Sequence, residues 1–452
     1  MPVALTRGLG QFVAGLRYGE IPPAAIPFAH TGFADCVGVM IAGAGEPAPQ
    51  LVRAMLAPAG GEATLLFGAG RASAPEAAWI NGTAAHALDF DDVGQRGHPS
   101  TVLVPAILAE AEAIGASGEA MIVAYAAGYE TWAELVRREP DQHHNKGWHP
   151  TGIFGAIGAA AACASLRRLD ATQAAHAIAL AASQSAGLMS NFGTMTKPFH
   201  AGRSAHAGVV SARLAEKGFT ASLDALEHPQ GFLSAVSPAG KADRESAIEA
   251  GSVWKLARDG LSVKKYPLCF CTHRALDGML DLLRAGQLDA AKVCRVTVST
   301  SPRYATILRN HAPQTGLEAK FSMEFAMASA LIAGRAGLPE LTDGFVRQPE
   351  VQDLMRRVVV KVDEREDPAV PGHAVYDEVT LEGEGGKILG RMQVKQVRGS
   401  PDLPLGREEL WAKFESCVQA GTAKVKAREL FDALMSLEDL TQARNLPGLG
   451  NI

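Results

Sequence analysis

Three protonatable side chains stand directly before prolines that open apolar helical stretches: His98-Pro99, His149-Pro150 and Lys197-Pro198. Proline drives the residue before it into extended backbone and itself suits the first helical turn, so each side chain should project from a helix entrance. Unpaired N–H groups and the positive end of the dipole make such entrances attractive to anions. If the three converge, they form an anion pocket that contains proton-transfer groups. Removing a proton beside a carboxylate needs this combination, a base near neutral pH and cations to hold the charge that develops.

Four segments hold most of the reactive side chains. The first runs His86-Ala-Leu-Asp89-Phe-Asp91-Asp92-Val93 and continues to His98. Its carboxylates and histidines have ligand character for a divalent ion. An acidic helix end with Asp91 or Asp92 capping the next turn is the plainer reading, although Leu88 and Phe90 between the acids point some carboxylates inward. The second, His143-His144-Asn145-Lys146-Gly147-Trp148-His149, favours one functional histidine over a chelate. Gly152, Gly155 and Gly158 follow it with GxxGxxG spacing and no preceding strand, which fits close helix packing better than a nucleotide loop.

In the third, Lys197, His200 and Arg203 fall within seven residues. They could neutralise a di- or tricarboxylate, with Arg203 binding one carboxylate in bidentate fashion, or form an ordinary basic surface turn. The fourth, Lys264-Lys265-Tyr266-Pro267-Leu-Cys269-Phe-Cys271-Thr-His273, adds cations where the texture of the chain changes. Its Cys-x-Cys pair lacks the further cysteines of a metal cluster.

The elements that must position these groups are mostly helices. The 452 residues, 47% hydrophobic and 20% charged with 6% aromatics, suit one large core or two ordinary ones built from closely packed helices. A formal charge of -5 offers no basic face for nucleic acid. Six scattered cysteines and no continuous apolar run before Pro22 lead us to expect a cytoplasmic protein. The apolar stretch Gly152 to Leu166 is too short for a bilayer and reads as a buried helix, so no membrane partner is expected.

Helical spacing is expected over Ile80–Leu88, Val102–Ile114, Glu119–Arg137, Thr151–Leu166, Ala171–Ala186 and Ala207–Lys217, with Asp170 and Gln173 as a capping pair. After Tyr266, β-branched runs at Lys292–Ser299, Val358–Val362, Val375–Leu381 and Met392–Val397, with a helix at Lys320–Ile332, read as an α/β module. Helical spacing returns from Arg407 to Leu437. The expected organisation is therefore mainly α: a helical domain over 1–265, a smaller inserted α/β domain over 266–400, and C-terminal helices over 401–452 packing back on the first.

With these motifs in order, the chain resembles the MmgE/PrpD family, which includes 2-methylcitrate dehydratase, cis-aconitate decarboxylase and iminodisuccinate epimerase. The resemblance rests on Asn81-Gly-Thr-Ala-Ala-His86, Asp89-Phe-Asp-Asp92, Gly97-His98-Pro99-Ser100, Gly147-Trp-His149-Pro-Thr151, Thr196-Lys197-Pro198, Lys265-Tyr-Pro267 with His273, and Lys320-Phe-Ser322. It implies a helical domain with an α/β lid, a homodimer, no cofactor and no metal, and an active site between domains to which Asp89, His98, His149 and Lys197 belong.

On that basis His149 or His98 transfers a proton, Asp89 orients one imidazole, and Lys197 stabilises charge or protonates a leaving group. Arg203, Lys265, Tyr266, His273 and Asp92 contact a small polycarboxylate. Decarboxylating members resemble one another in a threonine and a tyrosine at the places held here by Val93 and Phe325. Losing both hydroxyls ranks dehydration of a 2-methylcitrate-like substrate first and epimerisation of an aspartate-derived dicarboxylate second. Decarboxylation of cis-aconitate and metal-dependent hydrolysis through Asp91 and Asp92 rank lower, and a non-catalytic binding protein is a further alternative.

Overall fold

The computed structural model describes residues 4–285, 290–368 and 370–449. The outermost residues of the expected domains, 1–3 and 450–452, lie outside that description. The chain divides into two compact units, Met1–Ser262 with Arg407–Ile452, and Val263–Gly406.

The first unit is helical. Its principal helices are α1 (Leu5–Gly15), α2 (Ile26–Gly43), α3 (Pro47–Leu56), α4 (Ala74–Ala87), α5 (Ser100–Ile114), α6 (Gly118–Arg137), α7 (Pro150–Leu166), α8 (Ala171–Ala182) and α9 (Thr196–Glu216). Small side chains set how closely these helices approach. A Cβ on Gly202 of α9 would lie 2.2 Å from both the Thr83 hydroxyl and the Trp79 carbonyl of α4. The expected packing role of the α7 glycines also holds: a Cβ on Gly152 would meet the Ala186 carbonyl at 2.2 Å. The α8 cap forms as read, with Asp170 accepting from the backbone of Thr172 and Gln173 and the Gln173 side chain accepting from the Asp170 N–H.

Two helices depart from expectation. α9 begins at Thr196, eleven residues before the expected Ala207, because its first turns carry Lys197, His200 and Arg203 and so lack an apolar pattern. α2, with 18 residues, is the long apolar helix of the unit and was not anticipated. Most of it is buried within the fold, and its Asp35 pairs at 2.5 Å with Lys413 from the C-terminal helix Arg407–Ala420. Lys413 also donates to the Phe90 carbonyl at 2.8 Å and lies over the Phe90 ring, tying that helix to the segment after α4.

The second unit is built on a four-stranded mixed sheet in the order Val358–Val362, Arg295–Thr300, Asp377–Glu382, Ile388–Val394. The first pair is parallel, with Val296 beside Val358, and the other two are antiparallel. Helices His273–Arg284 and Met323–Ala333 cover its apolar face, where Leu276, Met279, Val296, Val298, Phe325 and Val379 share a core. The fold as a whole is mainly α, as the composition implied.

Candidate active site

The chemistry gathers around the turn that follows α4. α4 ends at Ala87, and Asp89 takes a left-handed backbone with φ of 52°, a conformation that few residues other than glycine adopt. The turn brings carboxylate oxygens of Asp89 and Asp91 within 4.8 Å of each other. Gln95 and Arg96 are also left-handed, closing a small loop in which Gly94 and Gly97 bond to each other. The loop returns the chain to His98 at the mouth of α5.

Asp91 is the hub of this turn. Its carboxylate, wholly buried, accepts from His86 Nδ1 at 2.9 Å and lies 2.8 Å from His98 Nδ1 as an ion pair. Burial alone would raise its pKa, but the two imidazoles, through charge and hydrogen bonding, hold it well below the usual carboxylate range. The anion fixes both tautomers. His98 Nδ1 also lies 2.8 Å from the Asp92 carbonyl, so this nitrogen faces two acceptors and must carry a proton; in the neutral ring the lone pair is then on Nε2. His86 follows the same logic, and burial pulls its pKa down to about 4, so it stays neutral near pH 7. The His86 and His98 rings lie 4.5 Å apart.

His149 caps α7 in extended backbone, as the residue before Pro150 should. Its N–H donates to the Gly187 carbonyl, and its ring stacks 6.0 Å from His86 and meets Phe192 edge-on at 4.8 Å. Burial, then the nearby charges of His86, Lys197, His98 and His200, push its pKa well below that of free imidazole. Its Nδ1 lies 3.1 Å from His200 Nδ1. Lys197 enters from the first turn of α9, with Nζ 2.7 Å from Asp89 Oδ1 and 5.3 Å from the Phe192 ring centroid.

The three proline junctions therefore meet at one place in the first unit, though not all in the expected manner. Pro150 opens its helix, Pro99 stands just before α5, and Lys197-Pro198 lies inside a helix begun two residues earlier. Asp89, expected to orient an imidazole, pairs with Lys197, and Asp91 lies at 2.8–2.9 Å from two imidazoles. His86, Asp91 and His200 stand in the motifs named above, but none of them is among the four expected catalytic residues. Their signal was the combination of two helical positions and a turn whose direction the residue types do not reveal.

Two expected substrate contacts are corrected by their surroundings. Asp92 is fully buried and bonded to the Ser100 hydroxyl, which in turn contacts the Tyr125 hydroxyl at 2.7 Å. Burial and the neighbouring Asp35 push its pKa well up, so it is a core carboxyl sealed from any ligand. Arg203 occupies another face of α9, where its guanidinium covers the Trp79 ring and donates to His206 Nδ1 at 2.7 Å. Its fork is already engaged away from the histidine group.

Three expected residues belong to the second unit. Tyr266 is buried and donates to Asp277 at 2.8 Å. His273, at the start of its helix and fully buried, sits 3.3 Å from the Leu268 carbonyl between the rings of Tyr266 and Phe270. Lys265 is half-buried. Phe325 lies in the core of that unit, and Val93 in the first unit exchanges backbone hydrogen bonds with Ser262.

His86, Asp89, Asp91 and His98 offer ligand atoms within 4.8 Å of one another, the set that could hold a metal ion. The geometry fits direct hydrogen bonding better. His86 Nδ1 donates to Asp91 and His98 Nδ1 to the Asp92 carbonyl, so an ion held here would have to use the Nε2 atoms or displace these protons. Among the described residues, the cysteines are unpaired with one another by disulfides.

Comparison with known proteins identifies the family. Residues 7–245 match the MmgE/PrpD N-terminal domain and residues 266–439 the MmgE/PrpD C-terminal domain. The chain is 26% identical to human cis-aconitate decarboxylase over 375 residues, covering 80% of this chain and 76% of that protein. It is 25% identical to the mouse enzyme over 80% of this chain and 76% of that protein, and 23% identical to cis-aconitate decarboxylase of Aspergillus terreus over 99% of this chain and 96% of that one. With both domains matched in order, the chain belongs to the MmgE/PrpD family and is an enzyme of the lyase kind found there.

Proposed function

We propose that the enzyme moves a proton at the α-carbon of a small di- or tricarboxylate without a cofactor, with dehydration of a 2-methylcitrate-like hydroxy acid as the lead reaction. The observation that carries this reading is His98, whose Nδ1 is committed to the Asp91 carboxylate and the Asp92 carbonyl, so that Nε2 is the proton acceptor. Asp91 also stabilises the imidazolium that forms when Nε2 takes a proton. Lys197, held by Asp89, supplies the positive charge that an enolate needs, and its N–H can protonate a departing hydroxide. His149 stands as the second proton-transfer group. Bond changes then balance: the C–H pair becomes the new double bond, the C–O pair leaves with oxygen, and one proton goes to His98 while another completes water.

Relatives named cis-aconitate decarboxylases support a tricarboxylate substrate and favour a second reading, decarboxylation. The same site suits it, because loss of carbon dioxide also leaves a carbanion to be stabilised and protonated. Val93 and Phe325, which replace the hydroxyl-bearing residues of decarboxylating members, weigh toward dehydration. Epimerisation uses the same carbanion with a proton returned from the opposite face.

The test is incubation with cis-aconitate, 2-methylcitrate, citrate and iminodisuccinate in deuterated water, followed by NMR. Elimination of water supports the lead reading and loss of carbon dioxide the second. Exchange or inversion without elimination replaces both with an epimerase. No change in any acid rejects the proposal, and loss of activity with chelator and rescue by a divalent ion rejects its cofactor-free part.

A further inference from the structure

His200 belongs to no role described so far, yet it is the side chain that touches His149 through a ring nitrogen. It is buried on α9, one helical turn beyond Lys197, and its Nδ1 lies 3.1 Å from His149 Nδ1. Two ring nitrogens at hydrogen-bond distance require one proton between them: with none, two lone pairs repel, and with two, the N–H groups collide. The contact therefore admits two arrangements. If the proton sits on His149, its Nε2 holds the lone pair of a base. If it sits on His200, His149 is an Nε2–H donor, an acid.

Both rings are held for this contact. The His149 N–H donates to the Gly187 carbonyl, and a Cβ on Gly187 would lie 3.3 Å from His200 Cγ and Nδ1, so the Gly187 backbone packs against the second ring while anchoring the first. Four residues further along α9, the Ser204 hydroxyl donates to the Gly152 carbonyl at 3.0 Å, tying α9 to the start of α7 just beyond His149. The groups facing His149 are His86, His98, Lys197 and His200, with Asp89 balancing Lys197. Burial, with the Lys197 ammonium close by, disfavours a second proton on the pair.

Building on the proposed α-proton chemistry, we infer that His200 is a positioning residue that selects the tautomer of His149, keeping Nδ1 protonated and Nε2 open to accept a proton. When a proton reaches His149 Nε2, from the face of the substrate opposite His98 or in the reverse reaction, the Nδ1 proton can cross to His200 and leave His149 as a neutral Nε2–H donor. The pair converts one histidine from base to acid without a net change in its own proton count after that capture. His98, whose Nδ1 proton is locked between two oxygens, has no comparable freedom.

The test compares His200→Asn, whose amide oxygen can occupy the acceptor position, with His200→Leu, which removes it. In ¹⁵N-histidine-labelled resting enzyme, His149 should show a protonated Nδ1 in the wild type and in H200N, and a mixture of tautomers in H200L. Turnover should fall about 10- to 100-fold in H200L, mostly in kcat, and recover to within a few-fold in H200N. A purely structural role would give no tautomer change and no rescue by asparagine. An unchanged His149 tautomer in folded H200L, or in H200N equal loss of kcat with the tautomer altered, overturns the inference. The spectra need no substrate, so a tautomer shift in an enzyme that transforms none of the acids above would reject the proposed reaction while upholding His200.

Discussion

Asp91→Asn probes the arrangement at its hub. Wild-type Asp91, wholly buried, accepts from His86 Nδ1–H at 2.9 Å and pairs with His98 Nδ1 at 2.8 Å. An asparagine offers one oxygen and one NH2, so it can accept from one histidine only and must donate to the other. The second imidazole then has to present a bare Nδ1 and carry its proton on Nε2, which for His98 also breaks the bond to the Asp92 carbonyl. If that ring is His98, the base is lost. In hydrolytic triads the wrong histidine tautomer costs about 10⁴ in kcat, which at about 1.36 kcal/mol per decade is about 5.5 kcal/mol of transition-state stabilisation. Exchanging charge-assisted bonds of about 1.5–3 kcal/mol each for neutral ones adds a smaller loss of fold stability. The assay is steady-state kinetics on the substrate identified by NMR, beside the ¹⁵N spectrum of His86 and His98 and a thermal melt. The expected result is a folded enzyme with kcat down by orders of magnitude, KM little changed, and Nε2–H on one of the two rings. A folded D91N enzyme with kcat within threefold of wild type would refute the orienting role.

Other perturbations separate scaffold from chemistry. Burial, and then Arg203, lower the His206 pKa to about 4 in the folded protein, against an unfolded value near 6.5. The folded state thus binds fewer protons between those values, and the stability this neutral histidine contributes is complete above pH 6.5 and lost as pH falls toward 4. The melting-temperature advantage of wild type over His206→Gln should shrink from pH 7 to pH 5, and a constant or growing advantage would contradict that sign. Lys413→Met leaves Asp35 buried beside an apolar side chain and should cost about 3–5 kcal/mol, most of it recovered in Asp35→Leu/Lys413→Met, as measured by denaturant unfolding. A single variant as stable as wild type would show that the pair contributes nothing. Gly202→Ala places a Cβ 2.2 Å from two atoms of α4 and should destabilise by about 1–3 kcal/mol or more, with Lys197 turnover chemistry impaired as α9 shifts; an unchanged melting temperature would contradict the packing argument.

How far the site could be read in advance depended on what each residue's neighbours disclose. The helices α5, α6 and α7 came within two residues at their starts because long Ala- and Gly-rich apolar runs fit only close helix packing. α2 escaped notice because it is apolar nearly all round and lacks the stripe that marks a helix against solvent. Polar groups at the start of α9 hid its first turns. Once those turns are helical, Lys197, His200 and Ser204 share one face while Phe199, Arg203 and His206 share another, and Arg203 parts from the histidines. The left-handed Asp89 was equally invisible, since nothing in Asp-Phe-Asp-Asp specifies which carboxylate turns inward. His98, His149 and Lys197, in contrast, were legible from their prolines, and the fold brings them together.

The central claim is that this cluster transfers the α-proton of a polycarboxylate. It is tested most directly by following deuterium incorporation and product formation in deuterated water with wild type, Lys197→Ala and His149→Ala. The account predicts turnover in the wild type and its loss in both variants with their melting curves preserved. Near-normal turnover in both variants would contradict it.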